Sequence, residues 1–284
     1  MTALQSLSAT NKALETTQGR ISTGLRVATA SDNAAYWSIA TSMKSDNKAL
    51  SAVQDALGLG AGKVDTAYTA ITDIKDQVDS IKSKLITAQS ASQDDQKKIA
   101  TEIKAIQSSI TSSVTNATYA GTNLLKNDGA VTSNLNVVAS YNRSGTTVTI
   151  DTITVTAAET QVLDNAGANG MVGDLLATAF FDPSTAAVSD ADIKTALEKV
   201  ETALAKLLTG AATLGAAKSR IDTQKSFLSN LSDSIDKGVG QLVDADMNEE
   251  STRLQALQVQ QQLGIQALSI ANTNSQNILS LFKG

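Results

Sequence analysis

Cysteine and histidine are missing from this 284-residue chain, proline and tryptophan occur once each, and aromatics make up 3% of it. Without thiolates or imidazoles, the usual zinc and copper ligands are absent, together with thiol and imidazole catalysis. Carboxylates could still ligate a metal, but no EF-hand spacing is present. No disulfide can stabilise the chain outside a cell. So few aromatics rule against a stacking platform for bases. A net charge of −5, with lysines and arginines scattered, argues against nucleic acid as a partner. No apolar run reaches the roughly 18 residues of a membrane-spanning helix, so membrane insertion is not expected. The opening MTALQSLSATNK lacks the basic and apolar regions of a Sec signal. A chain with one proline can build very long helices, and one with few aromatics builds only a thin globular core. The composition therefore favours long, narrow helical packing.

What is present is helical periodicity at both ends. Leu4, Leu7, Leu14 and Ile21 keep helical spacing over 1–22, and Leu254, Leu257, Leu268, Ala271, Ile278 and Phe282 fall on one heptad seam. Chain ends are usually polar and frayed. An apolar seam reaching the last residues needs a partner, either the other end of the chain or a neighbouring molecule. This points to assembly rather than turnover.

Between the ends, Gly24 interrupts the first helix, and Ser31 or Asp32 is the expected N-cap of the next. A heptad seam then runs from Ile39 through Met43, Leu50, Val53, Leu57, Val64, Ala67, Ile71, Ile74, Val78, Ile81 and Leu85 to Ala88. As a helix it would be roughly 75 Å long. Gly58, Gly60 and Gly62 predict a kink or a close helix approach within it. A second helix is expected over 94–114, with Ile99, Ile103, Ile106, Ile110 and Val114 on one stripe. Its first turn carries Asp94 and Asp95, the sign that suits the helix dipole. Residues 115–132 read as irregular. Alternation over 133–156, with a turn at Arg143-Ser144-Gly145, signals a β-hairpin, and 157–188 read as loops and short elements. A capping-box-like Ser189-x-x-Asp192 opens another long helix, seamed by Ile193, Leu197, Val200, Leu204, Leu207, Leu214, Ile221, Leu228 and Ile235. A hinge is expected at Gly238 and Gly240, and a last helix from about 244 to 282. Folding back at the insert would pair the two long helices antiparallel and lay the two end helices together.

The expected fold class is therefore mainly α: long antiparallel coiled-coil-like helices with terminal helical arms and a short central β-hairpin insert. The expected domains are arms at 1–30 and 240–284, a long-helix bundle at 31–130 and 188–239, and a β-rich outer insert at 131–187.

No residues stand out for catalysis, cofactors or metals. Glu249-Glu250, Asp94-Asp95 and Asp244/Asp246 read as solvated or capping helix faces, because nothing places them in a pocket. Gly58-Leu59-Gly60-Ala61-Gly62 lies inside a heptad, follows no strand and lacks the Walker and Rossmann spacings. Gln258 and Gln260 to Gln262 could form a polar recognition patch, but in a helix otherwise apolar they read rather as making inter-helix hydrogen bonds or facing a hydrated channel. The Ser/Thr-rich insert, with Asn142-Arg143-Ser144, is a candidate glycan acceptor or a solvated β surface.

Three segments, in order, carry a resemblance. Arg20-Ile21-Ser22-Thr23-Gly24-Leu25-Arg26-Val27 followed by Ala28 to Ala35 resembles the N-terminal signature of bacterial flagellins. Ala117 to Leu125 is similar to the segment after that family's second helix. Glu249 to Leu257, Leu263-Gly264, Ala267 to Asn272 and Asn277 to Phe282 resemble the flagellin C-terminus. The resemblance covers about 1–130 and 188–284, and the form around Trp37 resembles the alphaproteobacterial branch. It implies an extracellular filament subunit that polymerises with copies of itself for swimming motility. The terminal helices would form the inner tube, and the insert the outer surface. Type III export, a flagellar cap and an export chaperone are the implied partners. Flagellins usually begin slightly upstream of the equivalent of Met1, so a short N-terminal stretch is expected to be missing. The innate-receptor motif of many flagellins carries an Arg on the first long helix. Here that stretch reads Val78-Asp79-Ser80-Ile81-Lys82-Ser83-Lys84-Leu85, without the Arg, so weak receptor activation is expected. A hook–filament junction protein, and a cell-surface adhesin or polysaccharide receptor, are the rival readings.

Overall fold

The computed structural model describes residues 2–130, 133–145, 147–177, 179–184 and 186–283, with the side chains at 2, 3, 271, 272 and 274–283 outside the description. Its elements in chain order are α1 (Thr2–Thr23), α2 (Ala34–Ala88), α3 (Gln93–Asn116), β1 (Thr118–Tyr119), β2 (Thr122–Asn123), β3 (Leu135–Ser144), β4 (Thr147–Val155), α4 (Ala157–Thr160), α5 (Gly173–Leu176), α6 (Asp190–Val243) and α7 (Met247–Lys283). Two compact units result: residues 1–48 with 231–284, and residues 49–230. Residues 131–187 fall inside the second.

In the second unit the heptad seam becomes the core. Leu57, Val64, Ile71, Ile74, Val78, Ile81 and Leu85 of α2 are fully buried, as are Val200, Leu214 and Ile221 of α6 and Ile110 and Val114 of α3. Burying such a side chain stabilises the fold by about 1.5–3 kcal/mol relative to leaving it exposed. α2 and α6 run antiparallel. Lys82 pairs with Glu201 at 2.5 Å, and further along Asp65 pairs with Lys218, numbers falling on one helix as they rise on the other. α3 lies against α2 through Lys84–Glu102 and a Ser113 hydroxyl that donates to Asp73.

The helix starts follow local chemistry. Ser92 caps α3 by accepting from the Asp95 amide, and its hydroxyl donates back to the Asp95 carboxylate at 2.9 Å. Ser189 and Asp192 make the same reciprocal arrangement at α6. The cap of α2 is different from that expected. Asn33 accepts from the Tyr36 amide, while Asp32 turns back to the amides of Ala28 and Thr29 at 3.1 and 2.9 Å. Asp32 is therefore spent on holding the loop before the helix.

The glycines of α2 do permit close approach, but to hairpins rather than to a helix. A Cβ at Gly60 would lie 2.6 Å from Val137 Cγ2 of β3, and one at Gly62 would lie 2.8 Å from Tyr119 Cζ of β1. Gly238 and Gly240 do not form a hinge, because α6 continues through them to Val243. The chain breaks at 244–246, where Asp246 accepts from the amides of Asn248 and Glu249 to cap α7.

The segment expected to be irregular contains a two-residue hairpin connection. Ala120 and Gly121 both adopt positive φ, +47° and +76°, between β1 and β2. This is the conformation that matches the twist of paired strands. β3 and β4 pair antiparallel as expected, with Ala139 bulged between Val138 and Ser140. Val137, Ala139, Ile153 and Val155 are buried at the base of the hairpin, whereas Val148 and Ile150 towards its tip are exposed.

Candidate functional site

The expected site residues sit on α1 and α7 of the first unit. The loop after α1 anchors there by β-type bonds. Leu25 bridges Asp244, the Arg26 amide donates to the Val243 carbonyl at 2.6 Å, and the Ala245 amide donates to the Gly24 carbonyl at 2.9 Å. Gly24 takes φ +71°, a left-handed conformation that ends the helix and turns the chain into this contact. Val27, Ala40, Val239 and Val243 form a small buried cluster, flanked by Leu25, Met43, Ile235 and Leu242. Asn47 donates to Asp236 at 2.5 Å and a Cβ at Gly238 would lie 3.3 Å from Met43 Cε, so α2 and α6 are antiparallel here as well.

From this anchor α1 and α7 pair antiparallel. Arg20 meets Glu250 at 3.0 Å, Gln261 donates to Asn11 at 2.8 Å, and a Cβ at Gly264 would lie 3.2 Å from Leu7 Cδ1. Along this register Leu7, Leu14 and Ile21 are half-buried on α1, and Leu254, Leu257 and Leu268 are half-buried on α7. Leu4 is 61% exposed. The side chains of Ala271, Ile278 and Phe282 lie outside the described residues. Of the four glutamines, Gln261 bridges the helices, and Gln258, Gln260 and Gln262 are exposed.

Two features lie outside the expected pattern. Glu250 was expected on a solvated or capping face, yet it is 5% exposed, held by Arg20, and its Oε2 has no hydrogen-bond partner among the described residues. Its neighbour Glu249 is exposed and pairs with Arg253 at 2.8 Å. Second, Val259, Leu263 and Ile270 of α7 are 55%, 58% and 67% exposed. At 3.6 residues per turn they share one stripe, on the side of α7 opposite Leu254, Leu257 and Leu268. α7 is thus apolar on two opposed sides, one covering α1 and the other open. A periodicity count that looked for a second stripe would have found it.

Among the described residues no group of acidic side chains could hold a metal, and no helix is long and apolar enough to cross a membrane.

Comparison with known proteins places this architecture. Residues 1–130 match the bacterial flagellin N-terminal helical region, and residues 197–282 match the bacterial flagellin C-terminal helical region. A flagellin of Brucella melitensis biotype 1 is 66% identical over 284 residues, spanning all of this chain and 96% of the relative. The chain belongs to the bacterial flagellin family. Flagellin C of Rhizobium meliloti strain 1021 is 48% identical, with 100% of this chain and 97% of the relative covered. Flagellin A of the same strain is 39% identical across an alignment of 385 positions, with 98% of the relative covered. This flagellin chain is accordingly much the shorter of the two. It is a structural subunit that self-assembles into the extracellular flagellar filament, and neither rival reading is favoured by these relatives.

Proposed function

We propose that the paired arms α1 and α7 are the polymerisation interface, and that their two apolar sides divide the work. Leu7, Leu14, Ile21, Leu254, Leu257 and Leu268 hold the arms together within a subunit, and their remaining open surface meets neighbours. Leu4, Val259, Leu263 and Ile270 point outward to meet a second subunit. Ala271, Ile278 and Phe282 continue the α7 seam in the same role. The exposed stripe on α7 carries this reading. Ordering an arm residue costs about 1–2 kcal/mol of backbone entropy, and burial of apolar area at roughly 25 cal/mol per Å² must exceed it. A polymer supplies that burial.

Under this reading the arms, residues 1–30 and 240–284, form the inner tube. Residues 31–130 and 188–239 form the surrounding bundle, and 131–187 face outward. A chaperone covers the stripe of α7 before type III export, and a flagellar cap folds arriving subunits at the tip. Exposed hydroxyls such as Thr147 and Thr149 on β4 are the glycan acceptors, if the host modifies the filament. The chain works as scaffold, with no catalytic role.

Two substitutions separate the sides. Leu263→Asp should abolish filaments in electron micrographs while amide-exchange protection of α1 stays unchanged. Leu257→Asp should abolish filaments and also lower that protection. Wild-type filament yield from Leu263→Asp would overturn the assignment of the outer stripe.

A further inference from the structure

A cleft of about 570 Å³ in the second unit lies between α2, the β1–β2 hairpin and the start of β3. It goes beyond the assembly role, since none of its residues belongs to the arms. Its lining offers donors without a carboxylate. Lys63 donates to the Thr122 hydroxyl at 2.9 Å and keeps two hydrogens for another acceptor. Lys126 has no ion-pair partner among the described residues. Asn134 accepts from the Ala157 amide at 2.8 Å, which fixes its carbonyl oxygen and leaves its NH2 group to donate. Asn136 likewise accepts, from the Thr154 hydroxyl at 2.8 Å.

Two acids lie close in sequence, and Asp128 stands directly behind the wall, bonded to the lining residue Ser133. Asp128 accepts from the Ala130 amide and the Ser133 hydroxyl, and Asp164 accepts from the Ala168 amide and the Asn169 side chain. In a chain of net charge −5, two lysines with amide donors line one cleft, and the Asp128 carboxylate behind Ser133 is already satisfied by two donors, which leaves a net positive lining. Charge-assisted bonds from such donors to oxyanions are about twice as strong as neutral ones.

We infer that this cleft binds a small oxyanion, a phosphate or carboxylate group, between Lys63, Lys126, Asn134 and Asn136.

The test uses the full chain as monomer, labelled with 15N-lysine and 15N-asparagine, in a buffer free of oxyanions and at ionic strength held constant with chloride. Inorganic phosphate, glucuronate and glucose are titrated separately. The expected result is saturable shifts at the four residues with phosphate, glucuronate or both, the tighter of the two naming the group. No response to glucose is expected. The Lys63→Gln/Lys126→Gln variant, checked by circular dichroism for its helix content, should bind at least about tenfold more weakly, the effect of losing about 1.4 kcal/mol. Linear, non-saturating shifts with both anions would overturn the site. So would equal saturation by glucose, or unchanged binding in the double variant.

Discussion

Single residues in this chain often do something other than their type suggests. Asp32 is the clearest example. Hydrogen bonds from Thr29, backbone first and then hydroxyl, hold its carboxyl below the usual carboxylate range. A depressed folded-state value means that the group stabilises the loop at pH above its unfolded value. The stability is lost as pH falls through the folded one. The protection factors of the Ala28 and Thr29 amides, measured against the intrinsic exchange rate at each pH, should therefore fall on acidification, and Asp32→Asn should remove most of that dependence. Gly58 and Gly60, two residues apart on one helix, should respond oppositely to alanine. Nothing lies within 4 Å of a Cβ at Gly58, so Gly58→Ala should gain about 0.5–1 kcal/mol of helix propensity. At Gly60 both methyls of the buried Val137 block the new Cβ, so Gly60→Ala should lose about 1–3 kcal/mol by overpacking. Denaturant melts of the two variants read both signs. Arg20→Ala would strand the buried Glu250 carboxylate and should weaken the α1–α7 pairing by about 2 kcal/mol, visible as faster exchange in α1.

At the scale of elements, the hairpin β3–β4 divides along its length. Ile153 at its base is buried and Ile150 near its tip is 58% exposed, and strict alternation puts the two on opposite faces of β4, Val148 with Ile150 and Ile153 with Val155. The bulge at Ala139 shifts the register between them. Ile153→Ala should cost about 2–4 kcal/mol in a denaturant melt, and Ile150→Thr should stay within about 0.5 kcal/mol. The buried Gln96 tells a similar story. Its amide donates to the carbonyls of Ala88 and Val188 and its carbonyl accepts from the Val188 amide, so one side chain ties the α2–α3 turn to the residues preceding α6. Nothing in its local sequence marks it, because the partner lies 92 residues away. The cap at Ser189 was legible, because it is settled within four residues, and the cap at Ser92, absent from the sequence expectations, obeys the same local rule.

For the whole molecule, the two units differ in how much they bury. The first holds a small cluster around Val27, Ala40, Val239 and Val243, with half-buried arms beyond it, whereas the second contains nearly all of the fully buried side chains. Stability should be distributed accordingly. Trp37, the single tryptophan, lies in the first unit and is 39% exposed. Its emission should change at a lower denaturant concentration than far-UV ellipticity, which all the helices dominate. Coincident transitions would mean that the units unfold as one. Under the proposed interface, arms that unfold first would suit a filament subunit, since they would gain their remaining burial from neighbours.

The sequence by itself determined the helices, their seams, the hairpin and the family. These follow from period, capping and ordered motifs, all of which act over a few residues. Tertiary structure decided what each face meets. Gly60 and Gly62 make room for hairpins, α6 runs unbroken through Gly238 and Gly240 where helical bonds continue, and Glu250 is buried because Arg20 lies opposite. It also decided that one side of α7 covers α1 while the side bearing Val259, Leu263 and Ile270 stays open. Period marks a residue as apolar and helical, but only the packing of distant segments chooses its partner.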